Sequence, residues 1–552
     1  MDERSEYLRW RDGADEETSA ELAAIENDEL EIKERFYRRL EFGTAGLRGL
    51  LAAGTNRMNV YTVRQTTQGL ADYLKESGGN LSAAIACDTR RRSTLFAREA
   101  ARVFAANGIQ VWLYAEPAPT PMLSYAVRER SCGAGINITA SHNPAAYNGY
   151  KVYGPDGCQI GPEIADAVSR HIARTDVLFG AKTCDFDDAV AQKKILFLTD
   201  SFWRRYIARV VNEGVDRAHH AGSNLSIAYT PLNGTGRDAV IRCLSLAGFG
   251  NIFPVEEQLR PDGDFATCPI PNPELPEALA LGLRLAKREN CDFLLATDPD
   301  CDRVGVAAKD GAEYRILTGN EIGALLLDFI ARARTENGTM PERPVAVRSM
   351  VSTKLADAVA ARYGIEMRKV FTGFRYIGQV IAELEAAGEE GRYIFGFEES
   401  CGYLSGTYAR DKDAVNASLL ICEAAAYWKR NGLTLAGAVD RLREEYGYYL
   451  DAQSNFYCEG MAGAERIRRS MSALREKAPE TLAGRPVTAA RDFLPEADML
   501  ELTLGGDASV IIRPSGTEPK VKAYYSVRGE DRAAAEAAAA LLKSAVTELL
   551  GL

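Results

Sequence analysis

The chain has 552 residues and a formal net charge of −11. That length fits about three to five domains rather than one core, and the acidic balance argues against general nucleic-acid binding while leaving room for a local basic pocket that takes phosphorylated substrates. Eleven scattered cysteines with no C-x-x-C pair fit the reduced thiols of a cytoplasmic protein, not a disulfide frame or a zinc site. Residues Met1 to Glu17 lack the apolar segment of a secretory signal, and no stretch approaches the roughly 18 apolar residues of a membrane span.

Residues 1 to 40 read as charged helices, with a loose apolar stripe of Leu22, Ile25, Leu30, Ile32 and Phe36. The glycine-rich Phe42-Gly43-Thr44-Ala45-Gly46-Leu47-Arg48-Gly49 follows, a plain connector or, through Arg48, an anion contact. Strands are then predicted at Leu81–Ala86, Ile109–Tyr114 and Cys132–Ile138, with a helix through Phe104 and a proline-rich turn at Pro117–Pro121. The alternation restarts at Ser226–Thr230 and again at Val345–Val347. Each restart is followed by a strand that runs into a polar motif: Phe293–Ala296 into Thr297-Asp298, and Tyr393–Phe395 into Gly396-Phe397-Glu398. Strands alternating with helices indicate parallel α/β units, and ligands of such sheets bind at the carboxyl ends of strands. The last hundred residues, with strands at Ser509–Ile512 and Val521–Ser526 and an alanine-rich helix at Asp531–Leu550, read as a smaller α+β domain.

Four motifs carry chemistry. Thr139-Ala140-Ser141-His142-Asn143-Pro144 stops a buried strand at a hydroxyl beside an imidazole; Ser141 is read as the carrier of a phosphoryl group, against an ordinary capped turn. Asp298-Pro299-Asp300-Cys301-Asp302-Arg303 sets three carboxylates at alternate positions, which in an extended loop converge on one side. Three hard oxygens suit Mg²⁺ with positions left for phosphate. A phosphorylated Ser141 would supply that phosphate, and Arg303 would brace it; a solvated acidic turn is the rival. An EF-hand fails, because its sixth and twelfth positions are Arg303 and Lys309. Gly396-Phe397-Glu398-Glu399-Ser400-Cys401-Gly402 ends a strand with carboxylates suited to vicinal sugar hydroxyls, or is an exposed acidic turn. Thr372-Gly373-Phe374-Arg375 adds a cation. Arg513-Pro514-Ser515-Gly516-Thr517-Glu518-Pro519-Lys520 is a phosphate clamp or a proline-bounded hairpin. Lys151, just after Ser141, is a candidate proton shuttle or an ordinary surface lysine. His171, His219 and His220 read as surface residues. No P-loop, lipase-type elbow or full dinucleotide fingerprint is present.

Taken in this order, T-A-S-H-N-P, D-P-D-x-D-R, G-F-E-E-S and R-P-S-G-T-E-P resemble the α-D-phosphohexomutase superfamily over residues 40 to 552. Phe42–Gly49, Thr66-Thr67-Gln68-Gly69 and Asp411-Lys412-Asp413 look most like its phosphoglucomutase and phosphopentomutase branch. The resemblance implies an α/β protein of four domains around a central cleft, the first three sharing a mixed-sheet topology and the fourth a smaller α+β domain. The expected divisions are an N-terminal extension 1–40, then 41–205, 206–318, 319–452 and 453–552. It implies that Ser141 is the phosphoserine and, with Asp298, Asp300 and Asp302, holds Mg²⁺. Arg48, His142, Lys151 and Arg303 would line the transfer site. Thr372, Gly373, Arg375, Glu398 and Ser400 would meet the sugar, and Arg513, Ser515, Gly516 and Thr517 its distal phosphate. The metal loop departs from the common D-G-D-G-D-R in Pro299 and Cys301. Ser400, where some pentose-handling relatives differ, favours a hexose. The implied activity is glucose 1-phosphate to glucose 6-phosphate through a phosphoserine and glucose 1,6-bisphosphate, with mannose, glucosamine and pentose phosphates as alternatives. A metal-dependent phosphatase and a silent sugar-phosphate binder are the rivals from other classes. The partners expected are hexose or pentose phosphates, with no nucleic acid and no membrane, in a monomer or homodimer.

Overall fold

Residues 2–44, 46–216, 224–458, 460–514 and 520–551 are described in the computed structural model, and they form four sheets. The first sheet has the order β1-β5-β4-β2-β3-β6, from β1 (Leu47–Leu50), β2 (Ser82–Cys87), β3 (Gln110–Tyr114), β4 (Ala134–Ile138), β5 (Tyr147–Tyr153) and β6 (Ile195–Leu198). The second has the order β11-β10-β9-β7-β8, from β7 (Ile227–Thr230), β8 (Ile252–Pro254), β9 (Phe293–Thr297), β10 (Val304–Asp310) and β11 (Glu313–Leu317). The third is β13-β12-β14-β15, from β12 (Val345–Ser349), β13 (Glu366–Val370), β14 (Tyr393–Glu398) and β15 (Gly402–Leu404).

One plan repeats in all three. A central strand (β2, β7 or β12) pairs in parallel with the next strand on one side and with the third on the other. The fourth strand (β5, β10 or β15) then returns antiparallel along the third. The central and third strands are buried along their whole length, as SAAIAC and FLLAT illustrate, which is how strands covered by helices on both faces read. The antiparallel return forces a tight turn at the carboxyl end of each third strand. The turns hold the serine motif, the triple-aspartate motif and the glutamate motif. Each has a non-glycine residue in the left-handed region: Ser141 at φ 49°, Cys301 at 53° and Cys401 at 59°.

The last sheet is entirely antiparallel, in the order β16-β21-β20-β19-β18-β17, from β16 (Tyr448–Tyr457), β17 (Thr481–Leu482), β18 (Arg485–Asp492), β19 (Leu500–Leu504), β20 (Ala508–Pro514) and β21 (Lys520–Gly529). Helices Gly460–Glu476 and Arg532–Leu550 complete the expected α+β unit. It has a core of its own, with Leu502, Val510, Tyr525 and Leu542 among its members. It meets the third unit through a small cluster of Val351, Phe493, Met499, Ile511 and Tyr524. The first three units, by contrast, share one continuous core that runs from Tyr125 and Tyr206 through Tyr229 and Val240 to Phe397 and Leu420.

Several expectations need correction. The divisions at 205/206 and 452/453 fall inside helix Asp200–Asn212 and inside β16. The helix packs on both β6 and helix Gly236–Leu246, so it joins two units, and we place the junctions at its start and at Tyr448. The Pro117–Pro121 turn is half helix, because Thr120–Glu129 begins there with Pro121 in its first turn, where a missing N–H costs nothing. Three helices do occupy the N-terminal extension, Glu3–Gly13, Glu16–Ala23 and Glu29–Phe36. Asp2, Asp15 and Asp28 cap them by accepting from backbone N–H groups. Leu22, Ile32 and Phe36 pack with Tyr7, Trp10, Tyr61 and Val177, but Leu30 points to solvent. The extension is therefore docked on the first unit. His171 is largely covered, with Nε2 3.1 Å from Glu76; His219 and His220 lie outside the described residues. Each of the eleven cysteines is a free thiol, and among the described residues no helix is long and apolar enough to cross a membrane.

Candidate active site

The serine turn is built from both of its strands. Thr139 Oγ1 accepts the Ser141 N–H at 2.8 Å, an ST-turn that begins the reversal. Gly149 on β5 passes so close that a Cβ there would sit 2.4 Å from the Thr139 carbonyl oxygen. The return strand then brings Lys151 opposite Asn137. Lys151 is buried and its ammonium donates to Ser141 Oγ and to Asp300 Oδ2, both at 2.9 Å. Ser141 Oγ itself donates to Asp300 Oδ2 at 3.1 Å. A lysine on β5 and an aspartate from the second unit thus meet on one hydroxyl.

The metal turn is held from three directions. Thr235 donates to the Pro299 carbonyl through its N–H (2.9 Å) and its hydroxyl (3.0 Å). Gly234 lies flat against Pro299, where a Cβ would be 2.4 Å from its Cα. The glycines of Gly234-Thr235-Gly236 therefore brace the metal turn instead of a dinucleotide. Thr120 N–H donates to the Asp300 carbonyl at 2.8 Å, and its hydroxyl donates to Asp300 Oδ2 at 2.9 Å. Asp298 Oδ1 accepts the N–H groups of Asp302 and Arg303 at 3.1 and 3.0 Å.

These contacts consume only Oδ1 of Asp298 and Oδ2 of Asp300, and Lys412 approaches only Oδ2 of Asp302, at 3.2 Å. Asp298 Oδ2, Asp300 Oδ1 and Asp302 Oδ1 are buried and have no hydrogen-bond partner among the described residues. The three side chains each offer an oxygen within 4.8 Å of the others. Unpartnered buried carboxylate oxygens are costly, and three that converge fit a hard divalent cation such as Mg²⁺. The electrostatics agree. Burial and its two aspartate neighbours push the Asp298 carboxyl well above its ordinary range. Burial also opposes ionisation of Asp300, but the Lys151 ammonium outweighs it and holds that carboxyl well below.

Charged groups ring the triad. Burial works against the Arg303 guanidinium, yet Asp302, Glu274 and Asp298 keep it firmly charged; it donates to Glu274 at 2.8 Å. Burial, Arg303 and Arg48 hold the His142 imidazole neutral, and its Nδ1 stands 4.0 Å from Asp298 Oδ2. Arg48 reaches over the turn and donates to Asn143 Oδ1 at 3.0 Å. Lys412 lies 3.2 Å from both Asp302 and Asp411.

The glutamate turn faces this cluster. Glu398 is buried and accepts the Gly373 N–H at 2.6 Å; burial, with Glu399 adding to it and Lys412 opposing, pushes its carboxyl up to about 7. Gly373 reaches φ 123° to turn that N–H inward. The Thr372 hydroxyl is buried without a partner among the described residues. Ser400 is partly covered. Arg375 turns aside, its guanidinium 4.6 Å over the Tyr376 ring and bonded to the Tyr376 hydroxyl. Glu399 accepts from Ser349 Oγ at 2.9 Å and lines a cavity of about 720 Å³ between the third and fourth units, with Phe371, Tyr376 and Tyr524. Arg513, at the end of β20, is cross-strand from Lys522, and Glu399 and Arg513 both act on the Lys522 ammonium, which burial depresses. Ser515, Gly516 and Thr517 lie outside the described residues.

Sequence reasoning missed four members of this assembly: Thr120, Arg90, Asp88 and Lys412. Asp88 and Arg90 follow the carboxyl end of β2, so the strand-end rule that found the other motifs applied to them too. Lys412 sits in Asp411-Lys412-Asp413, whose flanking aspartates bind other units. Asp411 accepts from the Tyr153 hydroxyl at 2.7 Å, and Asp413 from Tyr206 at 2.7 Å.

Comparison with known proteins agrees with this arrangement. Four consecutive family profiles match, described as "Phosphoglucomutase/phosphomannomutase, alpha/beta/alpha domain I" over residues 39–178, domain II over 204–311, domain III over 318–446 and the C-terminal domain over 474–544. A phosphoglucomutase of Staphylococcus haemolyticus is 34% identical over 511 residues, covering 89% of this chain and 91% of that protein. One of Staphylococcus aureus (strain bovine RF122) is 33% identical over 524 residues, covering 90% and 91%. Among solved structures, pp63/parafusin from Paramecium shares the fold at a TM-score of 0.71 and 18% identity, over 93% of this chain and 96% of that one. A phosphoglucomutase/phosphomannomutase family protein of Burkholderia thailandensis shares it at 0.69 and 17%, over 92% and 97%. With its three matching turns, its buried aspartate triad and these relatives along nearly its whole length, the chain belongs to the phosphoglucomutase/phosphomannomutase family of the α-D-phosphohexomutase superfamily.

Proposed function

We propose that this enzyme interconverts glucose 1-phosphate and glucose 6-phosphate through a phosphorylated Ser141. One observation carries the reading: Ser141 Oγ is bonded to both Lys151 and Asp300, beside three unpartnered carboxylate oxygens. Glucose as the sugar rests on the relatives named phosphoglucomutase. The phosphoryl leaves Ser141 Oγ for the 6-hydroxyl of glucose 1-phosphate; the Oγ–P bond breaks and an O6–P bond forms. Lys151 is in position to protonate the departing Oγ, and His142, whose Nδ1 stands 4.0 Å from Asp298 Oδ2, is the neighbouring group that takes the proton of the 6-hydroxyl. The resulting glucose 1,6-bisphosphate turns over, and its 1-phosphoryl returns to Ser141. Asp298, Asp300 and Asp302 hold Mg²⁺, which when bound neutralises charge on the transferring phosphoryl. Glu398, Ser400 and Thr372 grip the sugar hydroxyls, and Arg513 with the Ser515–Thr517 loop holds the phosphate that is not reacting. Arg48 and Arg303 complement the charge between them. Such chemistry belongs in the cytoplasm, where sugar phosphates are made and used.

A coupled assay across the 1-phosphates of glucose, mannose, glucosamine and a pentose tests the proposal. Glucose 1-phosphate is expected to turn over fastest, with intact mass reporting a phosphoryl on Ser141 that exchanges with substrate. Faster turnover of pentose phosphate would overturn the specificity. Release of inorganic phosphate without isomerisation would identify a phosphatase instead.

A further inference from the structure

Arg90 lies just past β2, and its guanidinium is fully buried. It donates to four main-chain carbonyls of the serine turn and its exit: Ser141, Asn143, Pro144 (2.9 Å) and Tyr147 (3.2 Å). Its Nε faces Asp88 Oδ2 at 3.2 Å, and the Phe265 ring of the second unit covers it at 4.9 Å. Asp88 in turn accepts from Thr139 Oγ1 at 2.6 Å, the same oxygen that accepts the Ser141 N–H. The peptide before Ser141 is therefore tied through Thr139 to Asp88, and the peptide after it directly to Arg90. One ion pair holds both dihedrals of the residue between them.

That residue needs holding. Ser141 stands at φ 49°, a conformation unfavourable for an L-residue, and such strain persists only where the surroundings over-determine it. Arg90 gathers these carbonyls on one group, although that of Pro144 also accepts the Tyr147 N–H at 3.0 Å, and a planar guanidinium can bond several at fixed angles where an ammonium cannot.

We propose that Asp88 and Arg90, with Thr139 as the relay, are positioning residues that hold Ser141 in its left-handed, cleft-facing conformation while it gives up and regains the phosphoryl group. None of the three touches substrate. The inference rests on the mutase reading of Ser141. It is distinct from that reading, because a mutase turn can be positioned by its own proline and asparagine alone.

The deciding pair is Thr139→Val against Thr139→Ser. Valine keeps the shape and removes the oxygen that bridges Asp88 to the Ser141 N–H; serine restores the oxygen. Expected for Thr139→Val is a kcat at least tenfold lower with the glucose 1-phosphate KM within twofold, and a slower single-turnover phosphorylation of Ser141 by glucose 1,6-bisphosphate, read by intact mass. Thr139→Ser is expected within threefold of the parent in both. Arg90→Lys is expected to lose at least thirtyfold in kcat, again at unchanged KM. Should that variant not fold, the threonine pair decides alone. A Thr139→Val enzyme with parental kcat, a parallel change in KM, or a Thr139→Ser enzyme as slow as the valine form would overturn the inference. If the parent protein itself turns over no sugar phosphate, the functional reading fails; if the parent is active and Thr139→Val matches it, only the positioning role fails.

Discussion

At Ser141 and at Cys301 the chain makes the same left-handed corner between the third and fourth strands of its unit, yet the two side chains face opposite ways. Ser141 Oγ points across the cleft to Asp300 and Lys151. Cys301 is fully buried, its Sγ packed so near Gly236 that a Cβ there would lie 3.1 Å away. In the metal turn the chemistry is carried by the residues on either side of the corner, Asp300 and Asp302. In the serine turn it is carried by the corner itself. A corner residue has no freedom to relax, so it suits a group that must meet two substrates in one place. Flanking residues alternate and can converge, which suits ligands of a cation. The glutamate turn also buries its corner, Cys401, but there Glu398 and Ser400 both precede the corner and Gly402 follows it.

This contrast can be broken at its strongest point first. Ser141→Ala removes the hydroxyl at the cleft-facing corner and is expected to lower kcat by roughly 10⁴-fold or more, the scale seen when a nucleophile is lost, with the protein folded by circular dichroism and no phosphoryl gained by intact mass. Asp300→Asn strikes a flank that serves both turns. It is expected to cost kcat more than the roughly 10–100-fold of a lost outer-shell partner and to weaken Mg²⁺ binding measured by calorimetry; chelation of the parent enzyme should abolish turnover and added Mg²⁺ restore it. The third turn responds to pH. Burial pushes the Glu398 carboxyl up to about 7, so it is ionised above that pH, the form that would accept sugar hydroxyls, and protonated below it. For the parent, kcat/KM is expected to fall about tenfold per pH unit below 7, as one required ionisation dictates, and Glu398→Gln should flatten that limb. The smallest effect belongs to the buried corner. Cys301→Gly relieves about 1–2 kcal/mol of left-handed strain and gives up buried thiol surface worth about the same. Stability by chemical denaturation should stay within about 1 kcal/mol, and kcat within threefold. A large loss there would mean that the corner thiol is not passive.

The residues that announce this site are those whose meaning is local. Three aspartates at alternate positions converge in any extended loop, and a serine, asparagine and proline stop a strand wherever they occur. The order of the four motifs and the restarting strand-helix pattern likewise survive in one dimension, which is why the three related α/β units and the separate antiparallel unit were legible. Thr120 was not, because its partner Asp300 lies 180 residues away and a threonine in a proline-rich turn has an adequate local explanation. Arg90 was hidden for the same reason: its partners are carbonyls 51 and more residues on, and a main-chain acceptor leaves no mark in a side-chain pattern. Arg375, read from its charge as a substrate contact, lies over the ring of the adjacent Tyr376 and bonds its hydroxyl.

By itself the sequence determined the inventory: the serine, the carboxylates, the cations, and the turns that end each strand. Those follow from residue chemistry and from backbone preferences spanning a few positions. Only the tertiary structure decided which way each corner faces and what it meets. Ser141 and Cys301 share a backbone conformation, so nothing local distinguishes them. What separates them is the packing behind each turn, a tyrosine and glycine wall at Cys301 and an open cleft with Asp300 opposite at Ser141. That difference exists only once units more than a hundred residues apart have docked on their common core.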